Sequence, residues 1–400
     1  MTNLLDKKNI HNFFLFIAIF SFFILPRFVA NIRLEEIVTV IYAFFVLPYF
    51  ILFCFDRKIM PCIIYFIFLI FSFFLSLYSD VLYYDIQFFN WIYFSKYFLF
   101  FSFICLGYFS GKFNSFNNTT IKITLYICLG LNFLWIFYQI ISGNLGSLLG
   151  ADKAFSYGLA LIGEAAAFQV GSLLSLFFFI SLSFFYEKES LSFKVLGFLL
   201  GLFLAYAVYL TQSRVSLLGV LLGFIIYIYV RTNIFYKYLI ISFSVIASMW
   251  LFSIIKISIS KSDNNRFTLE GVLASYEARG GDIWAEPIGK INENIFIGHG
   301  LGALSHFNKN TNEMHNYYLK LLLEGGIFYL IVFILFLISI IFLKNKQNKY
   351  FISMKLYLFC LLLSGFLQDS FSSNKAVIPL FFLIGYFLYF IKFKGVRKNV

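Results

Sequence analysis

Long apolar runs recur along the whole chain and constrain its fold more than any other feature of the sequence. A helix needs about 20 mainly apolar residues to cross the hydrocarbon core of a bilayer. Segments of this kind lie at 12–30, 37–55, 60–78, 92–110, 121–142, 165–186, 194–211, 214–230, 238–256, 326–343, 350–368 and 376–392. Only 12% of the residues are charged, whereas soluble domains are about one quarter charged. The sequence predicts an all-α polytopic integral membrane protein with about 12 transmembrane helices.

Charged residues separate the connectors between these runs into two sets. One set is short and basic, with residues such as Lys7, Arg57 and Lys344, and the other holds most of the acids, including Glu35 and Glu164. Cytoplasmic connectors carry an excess of Lys and Arg, so we expect both termini in the cytoplasm. This bias also accounts for the net charge of +12, and we expect no nucleic-acid partner.

One outer connector, residues 257–325 between the ninth and tenth runs, is far longer than the others. We interpret residues 1–400 as one membrane domain that contains this large loop. Part of the loop has the apolar spacing of an amphipathic helix, which we expect to lie on the membrane surface. The residues with this spacing are Ile283, Trp284, Ile288 and Ile291.

Three cationic or titratable side chains stand beside apolar segments on the outer side. Arg214 ends the TQSR segment between two runs, Arg279 lies in EARGG of the long loop, and His315 begins HNYYLKLLLEGG. Each also has a purely structural interpretation. Arg214 could be an interfacial arginine that extends to the membrane surface, Arg279 a solvated loop charge, and His315 a cap at a helix start.

The segment after His315 predicts a short helix that ends at a glycine pair. Asn316, Lys320 and Glu324 recur at i, i+4 and form one polar stripe. Unpaired N–H groups at the start of this helix would favour an anion, while Gly325–Gly326 would break the helix and turn the chain into the next span.

A glycine-rich turn, GHGLG at residues 298–302, precedes that helix. Its backbone N–H groups could form a nest that binds an anion. Arginine binds phosphate oxygens in a bidentate fashion, and histidine accepts protons near neutral pH. The outer-side residues therefore predict a site for a lipid-linked diphosphate.

The segments TQSR, ARGGDIW…INENIFIGHGLG and HNYYLKLLLEGGI resemble the bacterial O-antigen ligase and O-antigen polymerase superfamily. The resemblance covers residues 211–333. The superfamily has a multispanning helical fold with a large periplasmic loop between late spans, arginines that correspond to Arg214 and Arg279, and a histidine that corresponds to His315. Related proteins often have an arginine or a Gly-Asn pattern where this chain has GADKAFSYGLALIGE, and there Lys153 is the local cation.

The resemblance implies a metal-independent glycosyltransferase of lipopolysaccharide biosynthesis, in the inner membrane with its active site facing the periplasm. A polymerase moves a growing glycan from undecaprenyl diphosphate onto a new lipid-linked repeat, whereas a ligase moves the finished glycan to lipid A–core. We expect Arg214 and Arg279 to bind the diphosphate and His315 to activate the acceptor hydroxyl. The residues expected to bind substrate are Asn316, Lys153, Gly300 and Tyr318.

Three functions stay open at this point. We favour an O-antigen polymerase, because polymerases of this superfamily are numerous and diverse, and keep an O-antigen ligase as the alternative. A lipid-linked oligosaccharide flippase is the third, although its spans should carry charges that line a central cavity. The resemblance implies no cofactor, and it implies an undecaprenyl diphosphate-linked oligosaccharide and a membrane chain-length regulator as partners.

Overall fold

The fold is that of a computed structural model, which describes residues 2–26, 33–57, 59–83, 87–146, 148–149, 158–164, 166–187, 190–231, 282–307, 314–343, 350–368 and 370–393. The α-helices within these residues are α1 (Thr2–Ile24), α2 (Leu34–Asp56), α3 (Met60–Leu82), α4 (Gln87–Lys112), α5 (Thr119–Ser142), α6 (Ala167–Glu187), α7 (Leu191–Leu210), α8 (Arg214–Arg231), α9 (Asp282–Glu293), α10 (Ala303–Phe307), α11 (Tyr317–Ile341), α12 (Phe351–Gly365) and α13 (Asn374–Phe393). Every predicted span except 238–256 overlaps one of these helices, and 238–256 lies outside the described residues. The first span was predicted too late in the chain, because α1 begins at Thr2 and ends at Ile24.

The protein is an all-α polytopic membrane protein, as the sequence predicted. By length and composition, seven of the described helices can cross a membrane. The other four predicted spans that the structure describes are shorter apolar helices, namely Ala167–Ser183, Arg214–Val230, Phe351–Gly365 and Asn374–Phe390. The total of about 12 spans therefore stays a prediction.

An aromatic core joins the middle of the bundle. The ring centroid of Tyr65 on α3 lies 4.7 Å from that of Phe336 on α11 and 5.1 Å from that of Phe381 on α13. One turn further along α3, Phe68 stacks on Tyr329 at 4.5 Å. Such ring pairs each contribute about 0.5–1.5 kcal/mol beyond the area that they bury, so the many Phe and Tyr residues have a packing role.

Helices α4 and α13 approach each other most closely at glycines. A Cβ atom added to Gly107 would lie 2.0 Å from the Phe382 carbonyl oxygen, and one added to Gly385 would lie 2.0 Å from the Ile104 carbonyl oxygen. Small residues let membrane helices pack backbone against backbone. These two glycines therefore determine the distance between the two helices.

Connectors that the sequence assigned to the outer side meet at one end of the bundle. The backbone N–H of Leu159, between α5 and α6, donates to the Leu210 carbonyl at the end of α7 (3.0 Å). Asn374, at the start of α13, donates to the Glu36 carboxylate in the first turn of α2. These contacts agree with the predicted alternation of connectors.

Candidate active site

Helix α11 is broken at Gly326, where the sequence predicted a break. Gly326 has φ +68° and ψ −169°, which separates a short first segment from the spanning segment that follows. A helix end leaves carbonyl groups without intrahelical partners. Here the Leu323 carbonyl accepts the N–H of His299 and the Glu324 carbonyl accepts the N–H of Gly300, both at 2.8 Å. The GHGLG turn therefore caps the broken helix.

The alternating glycines of the turn have a conformational cause. Gly298, Gly300 and Gly302 have φ values of +76°, +93° and +81°, in the left-handed region that favours glycine. Space is also limiting, because a Cβ atom on Gly300 would lie 2.2 Å from the Ser79 hydroxyl oxygen. In turn, Ser79 donates to the Leu301 carbonyl at 2.8 Å, which fixes the turn to α3.

The turn is not a vacant anion nest, and that expectation was wrong. The N–H of Gly298 donates to the Asn294 carbonyl at 2.9 Å, and those of His299 and Gly300 cap α11. The N–H of Gly302 donates to Oε1 of Glu324 at 3.1 Å. The anion that this turn binds is therefore a carboxylate of its own chain.

The predicted polar stripe of α11 faces the protein interior. Lys320 and Glu324 are both fully buried. The Lys320 Nζ lies 3.8 Å from the centroid of the Tyr93 ring on α4, within the range of a cation–π contact. Glu324 holds the glycine turn, so the stripe joins the start of α11 to α4 and to the turn.

His315 precedes α11 in a strained backbone conformation. Its φ is +50°, which few non-glycine residues adopt. Asn316 is the N-cap residue, and its Oδ1 accepts the N–H groups of Tyr318 and Leu319, both at 3.1 Å. We had expected an anion at these N–H groups, but the Asn316 side chain occupies them. The partly exposed His315 side chain is thus presented by a capped helix.

Tyr318 attaches this helix start to α12. Its hydroxyl donates to the Leu362 carbonyl at 2.8 Å. Its ring lies 4.6 Å from that of Phe366 and contacts Gly365. The tyrosine therefore holds α11 against the outer end of α12.

Arg214 is the first residue of α8, and a three-residue turn separates it from α7. Gln212 in that turn has φ +57°, which allows the abrupt reversal. A Cβ atom on Gly219 would contact Cys360 of α12 at 3.0 Å. Arg214 lies five residues before Gly219, or about 7.5 Å along the axis toward the outer end of α8. This places it at the level of the outer end of α12, which Tyr318 contacts.

Two candidate residues, Arg279 and Lys153, lie outside the described residues. The chain that flanks Lys153 is firmly held. Gln139 on α5 donates to the Ala160 carbonyl at 2.7 Å and accepts the N–H groups of Gly146 and Ala160, both at 3.0 Å. Together with the bond from Leu159 to Leu210, this anchors the connector beside the α7–α8 turn.

Two other histidines of the long loop make structural contacts. His299 shares a hydrogen bond with the Lys290 carbonyl at 2.7 Å through Nε2. The ring centroid of His306 lies 4.2 Å from that of Tyr83, with the two rings tilted by 32°, and this contact connects α10 to the end of α3. Burial is the main cause that raises the pKa of the Tyr83 hydroxyl above its ordinary value. Among the described residues, no group of three or more His, Cys, Asp or Glu could hold a metal ion.

Helix α9 confirms the helix predicted from Ile283, Trp284, Ile288 and Ile291, but not its expected environment. Ile291 is buried against Leu304, Met314 and Leu323. Trp284 packs against the same cluster, and its Nε1 donates to the Met314 carbonyl at 2.7 Å. Trp284 and Ile291 therefore pack on the protein, whereas Ile288 is exposed. The bond from Trp284 fixes the backbone directly before His315.

Sequence reasoning missed an ion cluster at the outer end. Arg33 is buried and paired with the Glu164 carboxylate, and its Nη1 lies 3.9 Å from Oε1 of Glu35. Ser21 donates to Glu35 at 2.6 Å. Glu164 also accepts the N–H of Ala166 at 2.9 Å, directly before α6. The acids were visible in the sequence, but their pairing joins residues that are distant in the chain.

A family model described as O-antigen ligase matches residues 196–334. The match begins within α7 and ends beyond the break in α11, so it contains Arg214, the glycine turn, His315 and Glu324. It supports the resemblance to the O-antigen polymerase and ligase superfamily. Members of the matched family are glycosyltransferase-like enzymes of lipopolysaccharide biosynthesis. No curated protein matches the chain.

Proposed function

We propose that the protein is an O-antigen polymerase of the bacterial inner membrane. It would transfer a growing polysaccharide from undecaprenyl diphosphate to a new lipid-linked repeat unit at the periplasmic face. The observation that carries the proposal is the position of two residues within the family match. Arg214 opens α8 and His315 precedes α11, and both elements adjoin the outer end of α12.

The backbone at His315 supports a chemical role. A residue held in a sparsely populated conformation costs about 1–3 kcal/mol and tends to occur at functional sites. The chain on both sides of His315 is fixed, because Met314 is buried and bonded to Trp284 while Asn316 caps α11. These bonds hold the backbone of His315 in place before any substrate binds.

The chemistry follows from these groups. The acceptor hydroxyl oxygen attacks the anomeric carbon of the growing glycan, and the bond from that carbon to the diphosphate oxygen breaks. His315 accepts the hydroxyl proton, a contribution typically worth about 10²–10⁴-fold in rate. Arg214 and Arg279 stabilise the charge that develops on the departing undecaprenyl diphosphate. The reaction as written needs no metal ion.

The remaining candidates support this site in different ways. Asn316, Gly300 and Tyr318 each use a polar group to hold the protein itself. We propose that they shape the substrate site through the backbone that they fix. Lys153 remains a proposed substrate-binding residue, and a membrane chain-length regulator remains the proposed partner.

An O-antigen ligase is the second candidate, because the matched family model has that description. The two enzymes share the donor and the leaving group and differ in the acceptor. A flippase is less well supported. Among the described residues, the buried Asp, Glu, Lys and Arg side chains belong to the outer-end contacts described above or to the first turns of α2, α11 and α13. They are Arg33, Glu35, Glu164, Lys320, Glu324 and Lys375.

The deciding experiment is the lipopolysaccharide banding pattern of a strain that lacks this gene. A single repeat on lipid A–core without a ladder identifies a polymerase, because ligation survives. Bare core with long glycan on the lipid carrier identifies a ligase. Bare core with single repeats retained on the cytoplasmic side of the membrane identifies a flippase. Complementation with His315→Ala, Arg214→Ala and Arg279→Ala should fail at wild-type protein levels, whereas His306→Ala should restore the pattern.

A further inference from the structure

Three consecutive large apolar residues outside the spans are exposed. Ile295, Phe296 and Ile297 follow α9 and precede the GHGLG turn, with exposed fractions of 42%, 63% and 59%. Contiguous apolar surface of this kind usually marks contact with a partner or a membrane. We call these three residues the apolar turn.

The apolar turn is held rigidly with its side chains outward. The Ile295 carbonyl accepts the N–H of Ile327 at 2.8 Å. A Cβ atom on Gly326 would lie 2.3 Å from the Phe296 carbonyl oxygen, so the backbone of the turn is pressed against the break in α11. Asn294 closes the turn by donating to the Gly298 carbonyl at 2.6 Å. Its side chains are therefore not free to fold back into the protein.

The apolar turn continues the exposed face of a membrane-spanning segment. The Phe296 ring centroid lies 6.3 Å from that of Phe328, directly after the break in α11. Phe328 is exposed, and the exposed residues Ile331, Leu335 and Ile338 continue its face at helical spacing. In a polytopic membrane protein, such an apolar face contacts lipid chains. The turn extends this face without interruption.

Polar residues at the end of α9 border the apolar turn. Asn292 and Glu293, the last residues of α9, are exposed immediately before the turn. Glu293 also forms an exposed ion pair with Lys290 at 2.8 Å. The change from charged to apolar surface therefore occurs at Asn294.

We infer that the apolar turn inserts into the bilayer and contacts lipid acyl chains, while the end of α9 stays in the aqueous interface. The turn is bonded to the α11 break, so it fixes the depth of the first segment of α11.

Photo-crosslinking tests this contact on the full chain. Benzoylphenylalanine would replace Phe296, Ile331 or Glu293 in separate variants, each reconstituted in phosphatidylethanolamine and phosphatidylglycerol nanodiscs. Position 331 is the control for lipid contact, and position 293 is the control for exposure to water. We expect at least about tenfold more lipid adduct at 296 than at 293, at a level similar to 331.

Two crosslinking results would contradict the inference. No lipid adduct at 296 together with strong adduct at 331 overturns the inference. Adducts of 296 with a second copy of the chain also overturn it, because the turn would then be a protein interface. The readout does not depend on catalysis. If His315→Ala is active but 296 crosslinks to lipid, the proposed function fails and the membrane contact stands.

Discussion

The carboxylate of Glu324 accepts the backbone N–H of Gly302 at 3.1 Å, and both residues are buried. The bond links the glycine turn to the helix that His315 precedes. The Glu324 carbonyl also accepts the N–H of Gly300, so this one residue holds the turn at two points. Because its observed bonds go to the backbone of the turn, we interpret Glu324 as a positioning residue and not as part of the reaction.

Substitution of Glu324 should therefore lower the stability of the protein, and more so when the new side chain has no acceptor oxygen. We expect Glu324→Leu to destabilise the protein by about 1–3 kcal/mol, because the N–H of Gly302 loses its partner in a buried site. Glu324→Gln keeps an acceptor oxygen and should lose less. Thermal unfolding in detergent measures both, with the exposed Glu293→Gln as the matched control. Equal stabilities of the Leu and Gln variants would show that the bond does not hold the turn.

The left-handed backbone at His315 predicts a separation of stability from activity. Glycine adopts φ +50° without strain, whereas alanine retains most of the cost of about 1 kcal/mol or more. His315→Gly should thus melt at a higher temperature than His315→Ala. Both variants should fail to restore the polysaccharide ladder. An active His315→Gly enzyme would exclude proton transfer by this residue.

Substitution of either partner alone in the Arg33–Glu164 ion pair should strongly destabilise the protein. Removal of one partner leaves a buried charge, at a cost of about 3–5 kcal/mol. We expect Arg33→Ala and Glu164→Ala each to show this loss and the double variant to lose less than their sum. The free energies of unfolding in detergent of the two single variants and the double variant give the coupling energy between Arg33 and Glu164. The exposed Lys290–Glu293 pair is the control, with an expected contribution of at most about 1 kcal/mol. Additive losses at Arg33 and Glu164 would argue against a coupled pair.

The glycine contact between α4 and α13 gives a steric prediction. Gly107→Ala would place a methyl group 2.0 Å from the Phe382 carbonyl oxygen, so the helices must separate and the folded yield should fall. Gly130→Ala on α5 adds a methyl group with nothing within 4 Å and should leave the yield unchanged. Fluorescence-detected size-exclusion chromatography compares the two. Similar monodisperse yields would mean that the interface adapts.

Features set by local composition were predictable from the sequence. The spans follow from apolar length, and the break in α11 follows from Gly325–Gly326, because no other residue adopts φ +68° as readily. The amphipathic spacing of α9 also identified a helix. Spacing alone does not reveal what covers the apolar face, so the covering by Leu304 and Met314 could not be foreseen.

Features set by distant pairing were not predictable. The N–H groups of the GHGLG turn could serve an external anion or an internal acceptor, and only the fold brings Glu324 to Gly302. The same holds for Arg33 and Glu164, which belong to different connectors. Asn316 had a local signal, because Asn is a favoured N-cap residue, and this signal competes with its interpretation as a substrate ligand.

The close approach of Gly107 and Gly385 also dictates an order of assembly. Helix α4 enters the membrane early in synthesis, but its partner α13 follows every other described helix. Until then, the glycine face of α4 has lipid in place of a helix. Completion of the bundle therefore waits for the ribosome to deliver α13, and a chain truncated before Asn374 would expose that face to membrane quality control.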